Sequence, residues 1–265
     1  LRGVNRGVEL AYKIREDCGR TRLIERVMAE DFTLAANDSP LLLVIETSGR
    51  AGVVALAEGE TLLSVQYLDE ARRHARDLAP VAAGLLGERG RTPRELAAAI
   101  VSVGPGSYTG LRVGVVSAKV LAYATGCRLV GVRTFAAIAR QAPDSVSRLD
   151  VLADAQQDKV YVQSFGRTSG EWEAVTDLAI VPFASWQASR STDAFVTGPG
   201  LHRWATHVAN GERMIEKTMW DPRPESLLAL GLARYRAGEG DDPYALEPLY
   251  LRPSSAEQQW RDRKR

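Results

Sequence analysis

Cysteine, histidine and net charge are what this chain has least of. Cys18 and Cys127, the two cysteines of 265 residues, are too few and too far apart for a disulfide framework and point to a reducing compartment. His74, His202 and His207 contain no i, i+4 pair and no HExxH pattern, so no metal site is expected. Lys and Arg number 34 against 33 Asp and Glu, which excludes the strong field of a dedicated nucleic-acid binder and leaves only local patches. No apolar run is long enough to span a membrane, and the opening residues lack the apolar core of a signal peptide. A cytoplasmic chain without membrane contact is expected. Ser48, Ser107 and Cys127 sit in no nucleophile elbow, so peptidase chemistry has no support.

What is present is core-forming material: 45% of residues are hydrophobic, enough for one large domain or two small ones. Residues 1–38 are polar, with seven basic and seven acidic side chains, and read as an N-terminal extension of uncertain order with one short helical stretch at 23–30. Order begins at LLLVIETS, 41–48, an apolar run ending in a turn. Residues 52–57 and 61–67, joined at Glu58-Gly59-Glu60, complete an antiparallel meander. Apolar residues recur at helical spacing over 70–88, and Thr92-Pro93-Arg94-Glu95 predicts a short capped helix. A strand at 98–103, a helix from Ser107 to Thr125 stopped by Gly126, a strand at 127–131 and a helix at 134–141 follow. This order resembles the ribonuclease-H-like α/β fold of the actin and sugar-kinase superfamily.

Pro143-Asp144-Ser145 marks a boundary. The expected division is an N-lobe at 39–142, a degenerate C-lobe at 143–222, and a C-terminal helix with an extended tail at 223–265. Strands are expected at 149–154, 159–165, around Trp172 and at 195–197, with helices at 183–190, 202–208 and 224–236. Both lobes should carry mixed sheets flanked by helices.

Three features are candidates for function. The first is the loop Gly104-Pro105-Gly106-Ser107-Tyr108-Thr109-Gly110-Leu111-Arg112. Amides at a helix start could hold an anion or a partner; equally, Ser107 could cap the helix while the glycines permit a close approach. It is neither a P-loop nor a dinucleotide fingerprint. The second is the thin helix after it, kept slim by Gly110, Gly114, Ala118 and Ala122, which fits a subunit interface or close packing on a sheet. The third is Glu46 at a strand end beside Thr47 and Ser48, with Asp154 ending another strand. A metal site needs such carboxylates paired; the simpler reading is a carboxylate capping a turn.

Five segments carry a closer resemblance: LLLVIETS at 41–48, RRHARDLAP at 72–80, SVGPGSYTGLRVG at 102–114, DAQQDKVYVQSF at 154–165 and PLYLR at 248–252. Together they resemble the bacterial TsaB (YeaZ) family over roughly 41–252. The resemblance implies a two-lobed actin-like fold that has lost the ATP and metal site of its paralogue TsaD. It implies a non-catalytic subunit supporting the TsaD-like transferase, which makes N6-threonylcarbamoyladenosine at position 37 of tRNAs reading ANN codons. The implied partners are a TsaD-like protein and a TsaE-like ATPase, or a second copy when alone, with tRNA met weakly or only through the complex. No cofactor is implied for this chain; ATP and Mg2+ would act through the partners. The implied contact surface is formed by the helices near 70–88 and 107–125, giving His74, Leu78, Val81, Leu85, Tyr108, Leu111, Val115, Ala118 and Ala122 as interface residues, and Glu46, Thr47, Ser48 and Asp154 as a vestigial site.

The chain departs from the family pattern in three places. Glu46 stands where the family usually has Asp, His74-Ala75-Arg76 where it has His-Ser-Glu, and the extension 1–38 has no counterpart. A glycoprotease role finds no supporting residues. A homodimeric scaffold, or a nucleotide-dependent enzyme of the sugar-kinase type, are the alternative readings.

Overall fold

A computed structural model describes residues 39–68, 74–208 and 213–251. The extension 1–38, the junction 69–73, the side chains of His74 and Ala75, residues 209–212 and the tail from Arg252 lie outside the described residues.

The meander forms where the apolar run and the turn at Glu58-Gly59-Glu60 predict it: β1 (Leu41–Glu46) pairs antiparallel with β2 (Val53–Glu58), which pairs antiparallel with β3 (Thr61–Tyr67). Gly59, at φ +58, supplies the left-handed turn between the last two. The chain continues through α1 (His74–Gly87) to β4 (Ala98–Gly104), α2 (Tyr108–Thr125), β5 (Arg128–Arg133) and α3 (Thr134–Arg140). β4 lies parallel to β1 and to β5, giving the sheet order β3-β2-β1-β4-β5. Gly126, at φ +78, ends α2, its amide reaching the carbonyl of Ala122. The helix expected after Thr92 is a single 3-10 turn, Pro93–Glu95, because Leu96 turns extended and buried toward β4.

β1 is buried on both faces, and its alternation divides the first core. Leu41, Leu43 and Ile45 join Leu78, Leu85, Val115, Ala118 and Ala122 of α1 and α2. Leu42 and Val44 join Leu227, Leu228 and Leu232 of the C-terminal helix α6 (Pro224–Arg236), packed on the opposite face. Each of these buried leucine, isoleucine and valine side chains contributes about 1.5–3 kcal/mol. Gly231 brings α6 close to β4: a Cβ there would lie 2.5 Å from Ile100 Cγ2.

The second sheet holds β6 (Arg148–Asp154), β7 (Lys159–Thr168), β8 (Glu171–Ala174), β9 (Ala179–Pro182) and β10 (Phe195–Thr197). Its order is β10-β6-β7-β8, with β9 also on β7. α4 (Phe183–Ser189) and α5 (Leu201–Trp204) cover one face through Trp186 and Trp204, while α3 covers the other through Phe135 and Ile138. β9 was not expected from sequence, since three half-buried residues and an exposed proline give little periodicity. The helix expected at 202–208 is the single turn of α5 followed by a 3-10 turn, Ala205–His207. The two mixed sheets flanked by helices make the actin-like two-lobed α/β fold expected from the element order. Among the described residues no helix is long and apolar enough to cross a membrane.

Candidate functional site

The glycine loop joins β4 to α2 and presses the start of that helix onto the end of β1. A Cβ at Gly106 would lie 2.6 Å from Ser48 Cβ, one at Gly110 2.0 Å from the Thr47 carbonyl oxygen, and one at Gly114 2.2 Å from Thr47 Oγ1. Three glycines thus let a helix lie directly on a strand end. The Ser107 amide donates to the Ser48 carbonyl at 2.8 Å, and Ser107 Oγ accepts from the Gly110 amide at 3.3 Å, capping the helix. Gly104 sits at φ +109, with Pro105 buried behind it and Thr109 exposed on the first turn.

This packing seals Glu46. Its side chain is 1% exposed, Oε1 accepts the Ser48 amide, and Oε2 has no protein partner. Burial pushes its carboxyl well above the usual range, against hydrogen bonds from Ser48 and Ser102 that pull the other way. Thr47 Oγ1 is likewise buried without a partner. Asp154 occupies a different setting: it is exposed, its Oδ1 accepts the Gln156 amide at 2.9 Å, and Arg203 of α5 reaches both oxygens at 3.3 Å. The structure therefore brings Glu46, Thr47 and Ser48 together with the glycine loop, while Asp154 is engaged by an arginine within the second lobe.

The expected interface residues require a correction. Leu78, Leu85, Leu111, Val115, Ala118 and Ala122 are buried within the chain, five of them in one cluster with β1, and Val81 is half-buried against it. The small residues of α2 serve a close approach to the chain's own sheet, so the six buried side chains face the core, while Val81 stays partly exposed. Tyr108 is half-buried, with the Arg112 guanidinium 5.0 Å from its ring centroid.

The outward faces of the same two helices carry different residues. Val116, Val120 and Tyr123 form an apolar stripe on α2, exposed by 57%, 61% and 74%. On α1 the exposed residues include Ala79, Pro80, Ala83, Gly84 and Gly87, all short, beside Arg76. The i, i+4, i+7 spacing of the α2 stripe was present in the sequence as a second apolar face on one helix. It was masked by the stronger small-residue face opposite.

The remaining sequence candidates are structural. Cys127 is buried before β5, and burial pushes its thiol pKa up. His202 Nε2 lies 2.7 Å from Asp221 Oδ2, and His207 packs edge-on against Trp204. Among the described residues no group of three or more His, Cys, Asp or Glu is placed to hold a metal ion.

Residues 68–194 match the family model of TsaD, described as tRNA N6-adenosine threonylcarbamoyltransferase. The chain is 28% identical to the tRNA threonylcarbamoyladenosine biosynthesis protein TsaB of Bacillus subtilis over 226 residues, 83% of this chain and 97% of that one. It is 26% identical to the protein of the same name from Escherichia coli over 224 residues, 81% of this chain and 96% of that one. The solved structure of YeaZ from Pseudomonas aeruginosa superposes with a TM-score of 0.67 at 27% identity, covering 80% of this chain and 100% of that one. With the glycine loop, the two-lobed fold and relatives matched nearly end to end, this chain is similar to the TsaB (YeaZ) family over about four fifths of its length.

Proposed function

We propose that this chain takes part in tRNA threonylcarbamoyladenosine biosynthesis as a non-catalytic subunit that docks onto a TsaD-like transferase through the outer faces of α1 and α2. The observation carrying this reading is the stripe Val116, Val120 and Tyr123: three of the eight exposed large hydrophobics among the described residues share one helix face. Beside it, Ala79, Ala83 and Gly84 present little more than backbone, so a partner helix can approach α1 closely. Residues 68–194, which hold α1 and α2, match the TsaD family model, so a TsaD-like partner is expected to carry a corresponding pair of helices, and helix pair against helix pair is a natural pseudo-symmetric contact. A second copy would use the same face when the partner is absent. The transfer chemistry on ANN-decoding tRNA, and the ATP and Mg2+ used by a TsaE-like protein, then belong to the partners. Two further observations support a non-catalytic role: Glu46 is buried beneath the start of α2, away from any substrate, and Asp154 is held by Arg203.

The test is size-exclusion chromatography with light scattering of the chain mixed with the TsaD-like protein of the same organism. A mixed species is expected for the wild type. Val120→Asp, an exposed position whose change leaves the core intact, should weaken association about a hundredfold, since a charge would be buried at the centre of the contact. Complex formation unchanged by Val120→Asp would refute this face.

A further inference from the structure

The C-terminal segment 237–251 is an extended strap that leaves α6 and runs back across the first lobe. It is fixed first at β5, where the Asp241 amide donates to the Leu129 carbonyl at 2.8 Å and Asp241 Oδ2 accepts the Gly131 amide at 2.6 Å. Arg234 Nη1 adds a contact to the same oxygen at 3.0 Å. It is fixed again at the end of β4, where the Leu249 amide donates to the Val103 carbonyl at 2.7 Å. Between these anchors Leu246 packs on the first core, and Lys119 Nζ of α2 donates to the carbonyls of Leu246 and Tyr244 at 3.1 and 3.5 Å.

The strap places one tyrosine at each end of α2. Tyr250 packs on Tyr108 with ring centroids 4.6 Å apart, and Tyr244 meets Tyr123 edge-on at 6.2 Å. Tyr108 and Tyr123 are fifteen residues apart, about 22 Å along a helix axis. The apolar stripe of Val116 and Val120 therefore lies between two tyrosine pairs, each with one ring from the helix and one from the strap. Tyr244 is 77% exposed, though its backbone carbonyl is held by Lys119. An aromatic ring held in place before binding loses little freedom on contact, which is what an interface anchor requires.

We propose that the strap is part of the docking face, with Tyr244 an anchor that the TsaD-like partner reads together with the α2 stripe. This rests on the partner reading given above. The partner's chemistry follows from the surface: an apolar helix ridge flanked by hydrogen-bond acceptors for two phenolic hydroxyls. The strap thereby links the position of the last helix to the affinity of the first lobe for its partner.

The test measures the affinity of the full chain for the TsaD-like protein by isothermal titration calorimetry, in the wild type and in Tyr244→Ser, Val120→Asp and Val175→Ser. Val175 is exposed on the second lobe and serves as the control. Thermal midpoints confirm folding, which Tyr244→Ser should leave unchanged because the side chain is solvent-exposed. The expected result is about tenfold weaker binding for Tyr244→Ser, with Val120→Asp weaker still and Val175→Ser unchanged. If Val120→Asp weakens binding while Tyr244→Ser matches the wild type, the strap proposal is overturned and the helix-face reading stands. If the wild type does not bind, or Val120→Asp is without effect, that reading fails and the strap proposal falls with it.

Discussion

Glu46 and Asp154 end comparable strands in the two lobes, yet the molecule treats them in opposite ways. Each closes an apolar strand that runs parallel to one neighbour and antiparallel to another. Glu46 is shut beneath a helix whose glycines lie on the strand end, so its carboxyl loses water and gains only neutral partners. Asp154 opens into a hairpin where Gln156, Gln157 and Asp158 all have positive φ, at 60, 51 and 55. Left-handed backbone costs roughly 1–2 kcal/mol per non-glycine residue. The turn is held by the Lys159 amide on the Gln156 carbonyl and by Arg203, which reaches Asp158 at 2.7 Å as well as Asp154. What packs against a strand-end acid, rather than the acid itself, decides whether its carboxyl is sealed from water or is half of a surface ion pair.

The sharpest way to break the contrast is to lift the helix off the first strand end. Gly110→Ala puts a methyl where the Thr47 carbonyl oxygen stands 2.0 Å away, and a backbone group cannot swing aside. A loss of about 3 kcal/mol or more is expected in urea unfolding. A near-neutral result would mean that α2 does not rest on β1 as described.

A smaller effect follows from the charge of Glu46. Its native pKa is raised above the ordinary 4.5, so the folded chain keeps a proton that the unfolded chain releases. The stability this group permits is greatest below that value, falls as pH rises, and levels off above the native pKa. Glu46→Gln removes that dependence and should gain about 1 kcal/mol over the wild type at neutral pH, with little difference near pH 4. Urea midpoints for both proteins across that range check the sign; a constant difference at all pH values would contradict it.

The smallest change is expected in the second lobe. Arg203→Ala removes the fork on Asp154 and Asp158, but side-chain exposures of 44%, 36% and 81% leave that pair well screened. A cost under about 1 kcal/mol is expected, with faster amide exchange confined to the 155–159 hairpin. A cost of several kcal/mol would show that the arginine alone holds the left-handed turn, and would erase the distinction between a sealed and a screened acid.

Much of the fold was legible because its signals are local. The apolar runs and turns at 41–67, the cap at Ser107, the stop at Gly126 and the proline at the start of α6 each act within a few residues of themselves. The docking face was not legible in the same way. α2 has two apolar faces, and periodicity cannot say which one meets the sheet. Leu78 and Ala118 carry the right chemistry for an interface and lie in the core, whereas Val116 and Val120 carry the same chemistry and lie in solvent. Tyr244 and Tyr250 offered less still, since their place beside Tyr123 and Tyr108 depends on a strap returning across more than a hundred residues of sequence.

The sequence by itself determined the element order of the first lobe, the glycine loop and the family resemblance they carry, since backbone conformation and helix caps are set by neighbouring residues. Only the tertiary structure decided which face of α2 is free, that Glu46 is sealed while Asp154 is paired, and that the strap borders the stripe. Burial is a property of what arrives from elsewhere in the chain, and no local pattern fixes it.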